Sequence, residues 1–309
     1  MANTGERPWN GKSRGGRRGY LFFVFVIRTL GLRCAYLFSS LVVLHFIPFA
    51  PRATAAIWDY HRRRQRRSPL RACVELYRHY YLFAQTLIDR IALRHGLSHR
   101  YRFEFDNYDR FIDLISRSGA VLIGAHVGCW EAGAGFFGDY ADKLHIVMLD
   151  AEHQAIKEIL SRNGQPAPYH IIPIDPDHPA DTLLRIKIAL NRGEYVCFNG
   201  DRHLNTRQTL PAELLGSPVL LPAGPFRIAS RCRVPVIFYY AMRERKRTYR
   251  FRFTDLPVAE TRDERHLVDR YVSSLEEILR RYPRQWFNFY RFWDLPVPSP
   301  APAHKTTRP

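Results

Sequence analysis

The sequence predicts an α/β fold with a mostly parallel central sheet flanked by helices and an N-terminal hydrophobic membrane-anchor helix. From Ala120 onward, short apolar runs alternate with segments of helical periodicity, which is typical of strand–helix–strand units. Before them, Tyr20 to Ala50 is the most apolar part of the chain, although Arg28 and Arg33 interrupt it. A spanning helix needs about 20 mostly apolar residues, so this segment is a candidate for membrane attachment.

The N-terminal segments differ in charge and in apolar content. Residues 1–19 are polar and basic and are expected to form a disordered arm, followed by the membrane anchor or interfacial helix at 20–50. Basic residues lie on both sides of the apolar segment, and the positive-inside rule would place both sides in the cytoplasm, which one crossing cannot do. A helix in the membrane interface or a re-entrant pair can, so spanning and interfacial attachment both stay open. The remaining alternative is a buried core helix.

The other elements follow from periodicity. Amphipathic helices are expected at 71–95, where the apolar residues Val74, Tyr77, Tyr81, Ala84, Ile88 and Ile91 recur every three or four positions, and at 106–118. A strand at 120–123 begins the alternating part. Tyr249 to Leu256 alternates like a strand at the sheet edge. The remaining predicted strands are 144–149, 169–174, 194–199 and 234–242, and the remaining predicted helices are 152–162, 180–191, 225–232 and 263–282.

Length, charge and cysteine content limit the possible functions. A chain of 309 residues forms one large domain, or one domain with an appendage. Its 47 Lys+Arg against 29 Asp+Glu give a formal net charge of +18, which favours anionic partners such as nucleic acid, anionic lipid or an acidic protein. An odd number of scattered cysteines favours reduced thiols and a cytosol-facing domain. They are Cys34, Cys73, Cys129, Cys197 and Cys232.

The first candidate site lies where the strand at 120–123 turns into a helix that starts near Cys129. Open α/β sheets place their chemistry at such turns. Glu131 could accept a hydrogen bond from one imidazole nitrogen of His126 and leave the other free as a base, which is the base-plus-orienter half of a triad. No Ser lies nearby, so the nucleophile would be a substrate hydroxyl. Gly124 and Gly128 allow close backbone approach, and free N–H groups at the helix start could hold an oxyanion.

Other interpretations of this stretch stay open. A lone His at a strand end is often structural. Cys129 could form a nucleophile pair with His126, or it could be a small core residue. A metal site is the weakest alternative, because the sequence contains neither H-E-x-x-H nor paired Cys-x-x-Cys.

A second candidate site, Asn199-Gly200-Asp201-Arg202, follows the strand at 194–199. Parallel strands end at the same sheet edge, so it should lie near His126. Asp201 could support Arg202, and Arg202 could bind a phosphate or carboxylate through two hydrogen bonds. The alternative is a surface Asp–Arg pair.

These residues together resemble a known family. His126 with Glu131 resembles the H-x4-D/E motif of the lysophospholipid acyltransferase superfamily. The strand ending in Gly-Asp-Arg, the segment LLGSPVLLPAGPFRIA followed by VPVIF, and the terminal WFNFYRFW are similar to the bacterial lipid A late (lauroyl/myristoyl) acyltransferases. The similarity runs from about Tyr20 to Trp293. It implies an acyltransferase domain at 51–296, followed by a Pro-rich disordered tail at 297–309.

The resemblance implies transfer of a fatty acyl group from a thioester, usually of acyl carrier protein, to a hydroxyl or amine of a membrane lipid or glycolipid, with no metal or other cofactor. His126 matches the general base and Glu131 the residue that orients it. Gly128 would lie beside the oxyanion, and Asp201 and Arg202 match positions near substrate. Arg202 differs from the residue that lipid A enzymes usually carry there, so other glycolipids, ornithine-type lipids or an aryl polyene lipid are possible acceptors. The implied location is the bacterial inner membrane, with the catalytic domain facing the cytoplasm.

Two other function classes compete with this one. The charge of +18 fits a non-catalytic protein that binds anionic lipid or nucleic acid, but the charge is dispersed and no nucleic-acid motif is present, so no nucleic-acid partner is expected. The other class is a Cys129-dependent thioester hydrolase or transferase. Substitution of Cys129 separates it from the base mechanism.

Overall fold

A seven-stranded sheet in the order β1-β9-β8-β2-β5-β3-β4 forms the centre of the computed structural model, which describes residues 17–149, 169–175, 177–203 and 208–294. In this sheet β8 and β9 pair antiparallel, and the other neighbours pair parallel. The mostly parallel sheet is therefore confirmed. Its strands are β1 (Arg102–Phe105), β2 (Ala120–Gly124), β3 (Leu144–Leu149), β4 (His170–Ile174), β5 (Tyr195–Asn199), β8 (Val236–Arg243) and β9 (Thr248–Leu256). A separate antiparallel pair is formed by β6 (Thr209–Glu213) and β7 (Pro218–Pro222).

The edge position predicted for Tyr249–Leu256 is wrong. β9 lies between β8 and β1, and β1 pairs with it from Arg102 to Phe105. The alternating polar residues of β9 are ion-paired: Arg250 Nη1 lies 2.7 Å from Asp106. Alternation in this strand therefore marks a row of ion pairs and does not mark an exposed edge.

The helices lie mostly where the periodicity predicts them. The predicted helix at 152–162 and the tail at 297–309 lie outside the described residues, as does nearly all of the arm at 1–19. The domain boundaries remain predictions. The helices are α1 (Arg17–Thr29), α2 (Gly31–Phe49), α3 (Pro51–Asp59), α4 (Pro69–Arg94), α5 (Tyr108–Arg117), α6 (Trp130–Ala134), α7 (Pro179–Asn191), α8 (Ala223–Cys232) and α9 (Glu264–Arg281).

Helices cover both faces of the sheet. On one face, α7, α8 and α9 pack against odd-numbered residues of β2 such as Val121 and Ile123. On the other face, Leu122 belongs to a core that includes residues of α1, α2, α4 and α5. Of the helices in the described ranges, α2 is the one whose length and apolar composition would allow it to cross a bilayer.

The predicted apolar face of α4 is confirmed at Ile88 and Ile91, which are buried, but the first half of the helix buries polar residues. Val74 is 48% exposed, and Glu75 and His79 are buried. Glu75 pairs with Arg284, whose Nη2 lies 2.8 Å from Oε1. His79 Nδ1 lies 3.2 Å from Nε2 of buried His61. Burial lowers the pKa of His61 to about 4 and that of His79 well below its usual value, so both rings are neutral in the folded protein near pH 7.

We expect this pair to make stability depend on pH below neutrality. The pKa of each histidine is lower in the folded chain than the value of about 6.5 in an unfolded one, so the unfolded state binds more protons below pH 6.5. Stability should therefore fall as the pH decreases from 6.5 toward 4, by up to about 1.4 kcal/mol per pH unit for each histidine. Urea unfolding between pH 7.5 and 5 measures the slope.

His61→Gln should flatten this slope, whatever it does to stability at pH 7.5. His99→Gln, at an exposed histidine, is the matched control and should keep the wild-type slope. Equal slopes in His61→Gln and wild type would show that the buried pair does not govern the acid response.

Candidate active site

The sheet brings the two predicted site segments together at one edge. β2 and β5 are parallel neighbours with Gly124 opposite Asn199, so the residues that follow them leave the sheet side by side. His126 Nδ1 lies 2.7 Å from Asp201 Oδ1. The predicted proximity of the two strand-end segments is confirmed.

Asp201 is fully buried, and both of its carboxylate oxygens accept hydrogen bonds. Oδ2 accepts from the backbone N–H of His126 at 3.0 Å and from Trp286 Nε1 at 3.0 Å. Burial raises the pKa of the Asp201 carboxyl, but the neighbouring His126, Arg202 and Trp286 outweigh that effect and lower it to about 2. The carboxylate is therefore ionised at neutral pH.

This contact fixes the state of the His126 ring. An ionised carboxylate accepts from Nδ1–H, which leaves Nε2 as the nitrogen that can take up a proton. The His126 side chain is 20% exposed, and none of the described residues forms a hydrogen bond with Nε2. The ring therefore has one held nitrogen and one accessible nitrogen, as a general base requires.

The segment after α9 completes the site. Val127 forms an antiparallel bridge with Trp286, and the Phe287 N–H donates to the His126 carbonyl at 2.8 Å. Trp286 is buried and packs against Tyr60, with ring centroids 5.4 Å apart. In the sequence this segment stands out only through the resemblance of WFNFYRFW to the lipid A acyltransferases, which assigns none of its residues to the site. The signal that could have singled it out is the polar Gln285 directly before Trp286.

A comparison with models of known protein families identifies the family of this chain. The model of the bacterial lipid A biosynthesis acyltransferases matches residues 81–294. The chain belongs to this family. The match confirms the resemblance to the lysophospholipid acyltransferase superfamily. No curated protein matches the sequence.

Membership of this family identifies the general reaction of this acyltransferase. The family transfers acyl groups to lipid and is membrane-associated. The matched range contains His126, Asp201 and Trp286, so the geometry at this sheet edge lies inside the part that the family shares. α1, α2 and α3 precede it.

The other predicted site residues of the acyltransferase have different surroundings. Glu131 lies in α6, but its side chain is outside the described ones, and its pairing with His126 stays a prediction. Arg202 Nη2 donates to the Phe287 carbonyl at 2.7 Å, and its guanidinium lies 6.0 Å from the Tyr290 ring. Asp201 accepts hydrogen bonds from His126 and Trp286, and Arg202 acts on it as a neighbouring positive charge that lowers the pKa of the carboxyl.

Gly128 has a packing role in the structure. Its φ is +62°, and a Cβ there would lie 2.1 Å from the Ala241 carbonyl oxygen. Its N–H donates to the Gln285 carbonyl at 2.9 Å, and the Cys129 N–H donates to the Ala241 carbonyl at 2.9 Å. These two N–H groups, which sequence analysis expected to face an oxyanion, have protein acceptors because the loop passes between β8 and the C-terminal segment.

Cys129 and metal ligation are weak alternatives in this geometry. Cys129 is 1% exposed and packs in the core that contains Leu122, whereas Trp286 packs in the core on the other face of the sheet. Its thiol is therefore enclosed. Within the described ranges, no group of three or more His, Cys, Asp or Glu side chains is placed to hold a metal ion.

We expect Gly128→Ala to destabilise the fold by about 2–4 kcal/mol, because it adds a positive-φ strain and a steric clash with β8. Gly133→Ala is the control. A Cβ at Gly133 would meet Ala241 Cβ at 3.5 Å, an ordinary contact. The free energy of unfolding of that variant should therefore be within about 1 kcal/mol of the wild-type value. Denaturant unfolding of the two variants tests this, and equal stability would contradict the close approach of the loop to β8.

Proposed function

We propose that this protein moves a fatty acyl chain from an acyl carrier protein thioester to a hydroxyl or amine of a membrane lipid or glycolipid, with His126 as general base. The observation that carries the proposal is the His126–Asp201 contact at the carboxyl edge of the sheet, in a chain of the lipid A acyltransferase family. That contact holds Nδ1 and leaves Nε2 for a substrate proton.

In the proposed reaction, one proton moves from the acceptor to His126 and then to the leaving thiolate. His126 Nε2 takes the proton of the acceptor hydroxyl while its oxygen forms a bond to the thioester carbonyl carbon. The carbon–sulfur bond of the resulting tetrahedral intermediate then breaks, and the thiolate takes the proton from His126. The products are an acyl ester and the free thiol of the carrier. During proton transfer the imidazole becomes a cation, which the ionised Asp201 stabilises at 2.7 Å.

Asp201 is proposed as a positioning residue in place of the substrate-contacting role that the resemblance gives it. It is fully buried, so it acts through His126. Trp286 holds its second oxygen. Glu131, which the resemblance assigns as the orienter, remains the competing carboxylate. Gly128 and Arg202 keep their proposed places near the substrate.

The proposed partners follow from charge and compartment. Acyl carrier protein is acidic, and a chain with a net charge of +18 attracts an acidic partner. The same charge suits an anionic membrane surface. None of the five cysteines forms a disulfide, which supports a domain that faces the reducing cytoplasm from the bacterial inner membrane.

The reaction class is tested with detergent-solubilised protein, a radiolabelled acyl carrier protein thioester and a bacterial lipid extract. We expect a labelled lipid with wild type and with Cys129→Ala, and none with His126→Ala. The matched control is His145→Ala. Its Nε2 lies 2.7 Å from Glu194 in a similarly half-buried pair at the opposite sheet edge, and it should keep full transfer. A labelled lipid of equal yield from His126→Ala would overturn the proposal, and loss with Cys129→Ala would favour thiol chemistry.

The role of Asp201 is tested by kinetics of variants that fold. Asp201→Asn removes the charge that stabilises the imidazole cation, so kcat should fall by about 10²–10⁴ with KM changed little. Trp286→Phe removes one donor to the carboxylate and should lower kcat by about tenfold. Glu194→Gln, in the control pair, should leave both constants unchanged. If Glu131→Gln abolishes turnover and folded Asp201→Asn does not, Glu131 is the orienter.

A further inference from the structure

α1 and α2 form an antiparallel hairpin that turns at Leu30. The rings of Phe22 and Phe38, each eight residues from the turn, lie 5.1 Å apart. Such a pair has its two free ends on the same side, which is a different geometry from a single continuous crossing.

The inner side of the hairpin is part of the folded domain. α2 buries Leu32, Ala35, Ser39 and Val43, a stripe with helical spacing. Val26 of α1 lies in the same core cluster as Leu122 of the sheet.

A buried polar cluster fastens α2 to the domain. The Tyr36 hydroxyl donates to Asp89 of α4, which is fully buried. Asp89 also accepts from Tyr101 at 3.0 Å, from Tyr249 at 2.7 Å and from Arg243 Nε at 2.6 Å. Withdrawing Tyr36 would remove a partner from a buried carboxylate, which is costly.

The helix beside α2 limits how deep the hairpin can lie. α4 packs along α2, with the Tyr77 hydroxyl donating to the Ser40 carbonyl at 3.5 Å and with Val43 in one cluster with Leu76. α4 carries charged side chains in both its first and its last turns, at Arg71, Glu75, Arg78, Asp89, Arg90 and Arg94, and these are costly in hydrocarbon. Because α2 lies along α4, it cannot cross a bilayer without taking α4 with it.

The outer side of the hairpin is apolar and exposed. Its large apolar side chains recur every three or four residues along both helices, and they continue onto the start of α4. This set, the hairpin outer face, contains Leu21, Phe22, Phe25, Leu30, Leu37, Phe38, Leu41, Leu44 and Phe49, with Leu70 and Val74 beyond it. So many exposed large apolar side chains on one pair of helices are unusual on a protein that stays in water.

Positive charge lies at both ends of the hairpin. Arg28, Arg33 and Arg52 are exposed, and the sequence contains no Asp or Glu from residue 7 to residue 58. The exposed Arg245 and Lys246 form the β8–β9 turn, just after Arg243 in the Asp89 cluster. An apolar face with a basic margin matches the interface of an anionic bilayer.

We propose that the α1–α2 hairpin is a monotopic docking surface, which lies in one leaflet of an anionic bilayer with its outer face about 5–10 Å deep. Both ends of the hairpin then lie on the same side as the catalytic domain, which agrees with basic residues on both flanks. The inference rests on the proposed membrane attachment and does not depend on acyl transfer.

The docking surface connects to the candidate active site. Arg243 of the Asp89 cluster donates its backbone N–H to Gln285 Oε1 at 2.9 Å, and the Gln285 carbonyl accepts from Gly128 in the His126 loop. The hairpin is therefore joined to that loop by consecutive hydrogen bonds.

Binding is tested with vesicles of phosphatidylglycerol and phosphatidylethanolamine in a sedimentation assay. Leu37→Glu/Leu41→Glu replaces side chains that are 69% and 60% exposed and should reduce vesicle binding at least tenfold with an unchanged Tm. The matched control, Leu183→Glu/Leu184→Glu in α7, alters side chains that are 52% and 57% exposed and should bind as wild type. Equal loss or equal retention in both would overturn the proposal. His126→Ala should bind fully, which separates failure of docking from failure of acyl transfer.

Topology is tested with single cysteines at Ser13→Cys and Lys246→Cys, in a chain whose native Cys34, Cys73 and Cys232 are replaced by Ser. The protein is added to the outside of sealed vesicles and treated with a membrane-impermeant maleimide. A monotopic hairpin exposes both positions, so both should label completely. Protection of the cysteine at position 13 with full labelling at position 246 would show a crossing and would overturn the proposal.

Discussion

The buried carboxylate of Asp201 is the contact on which the candidate site depends. A fully buried charge is tolerated only when its oxygens are satisfied, and here the donors come from a strand-end loop and from the segment after α9. The same three hydrogen bonds set the position of the His126 backbone, the tautomer of its ring and the orientation of Trp286. The chemistry of the site and the closure of the C-terminal segment are therefore one arrangement.

Asp89 is a second fully buried carboxylate whose oxygens are satisfied by hydrogen bonds, but it has a different role. Three tyrosine hydroxyls and one guanidinium enclose its carboxylate, and this cluster joins α2, α4, β8 and β9. Asp201 holds a ring that keeps one nitrogen accessible, whereas Asp89 is closed on all sides. One buried carboxylate thus supports chemistry and the other supports attachment of the hairpin, and Gln285 connects them through Arg243 and Gly128.

Local pattern misleads where long-range ion pairs replace apolar contacts. The alternation in β9 suggests an edge strand, but Arg250 pairs with Asp106 in the turn directly after the neighbouring strand β1. On α4 the spacing of apolar residues predicts that Val74 is buried. Instead Glu75 is buried, because its carboxylate pairs with Arg284, which is 209 residues away in sequence. A sequence window contains only one half of such a pair, so the polar residue looks solvent-exposed.

The sequence by itself determined most of the strands and helices of the described chain, the mostly parallel sheet, and the placement of His126 and Asp201 at one edge. These follow from periods of two and 3.6 residues and from the rule that parallel strands end together. Only the tertiary structure decided that Asp201 holds Nδ1 of His126, that Trp286 holds Asp201, and that α2 lies along α4. Those contacts join residues 75, 85 and 53 positions apart. Each of these contacts forms because segments that are distant in sequence donate hydrogen bonds to the same buried carboxylate. The periodicity of one segment does not show which distant segment it will meet.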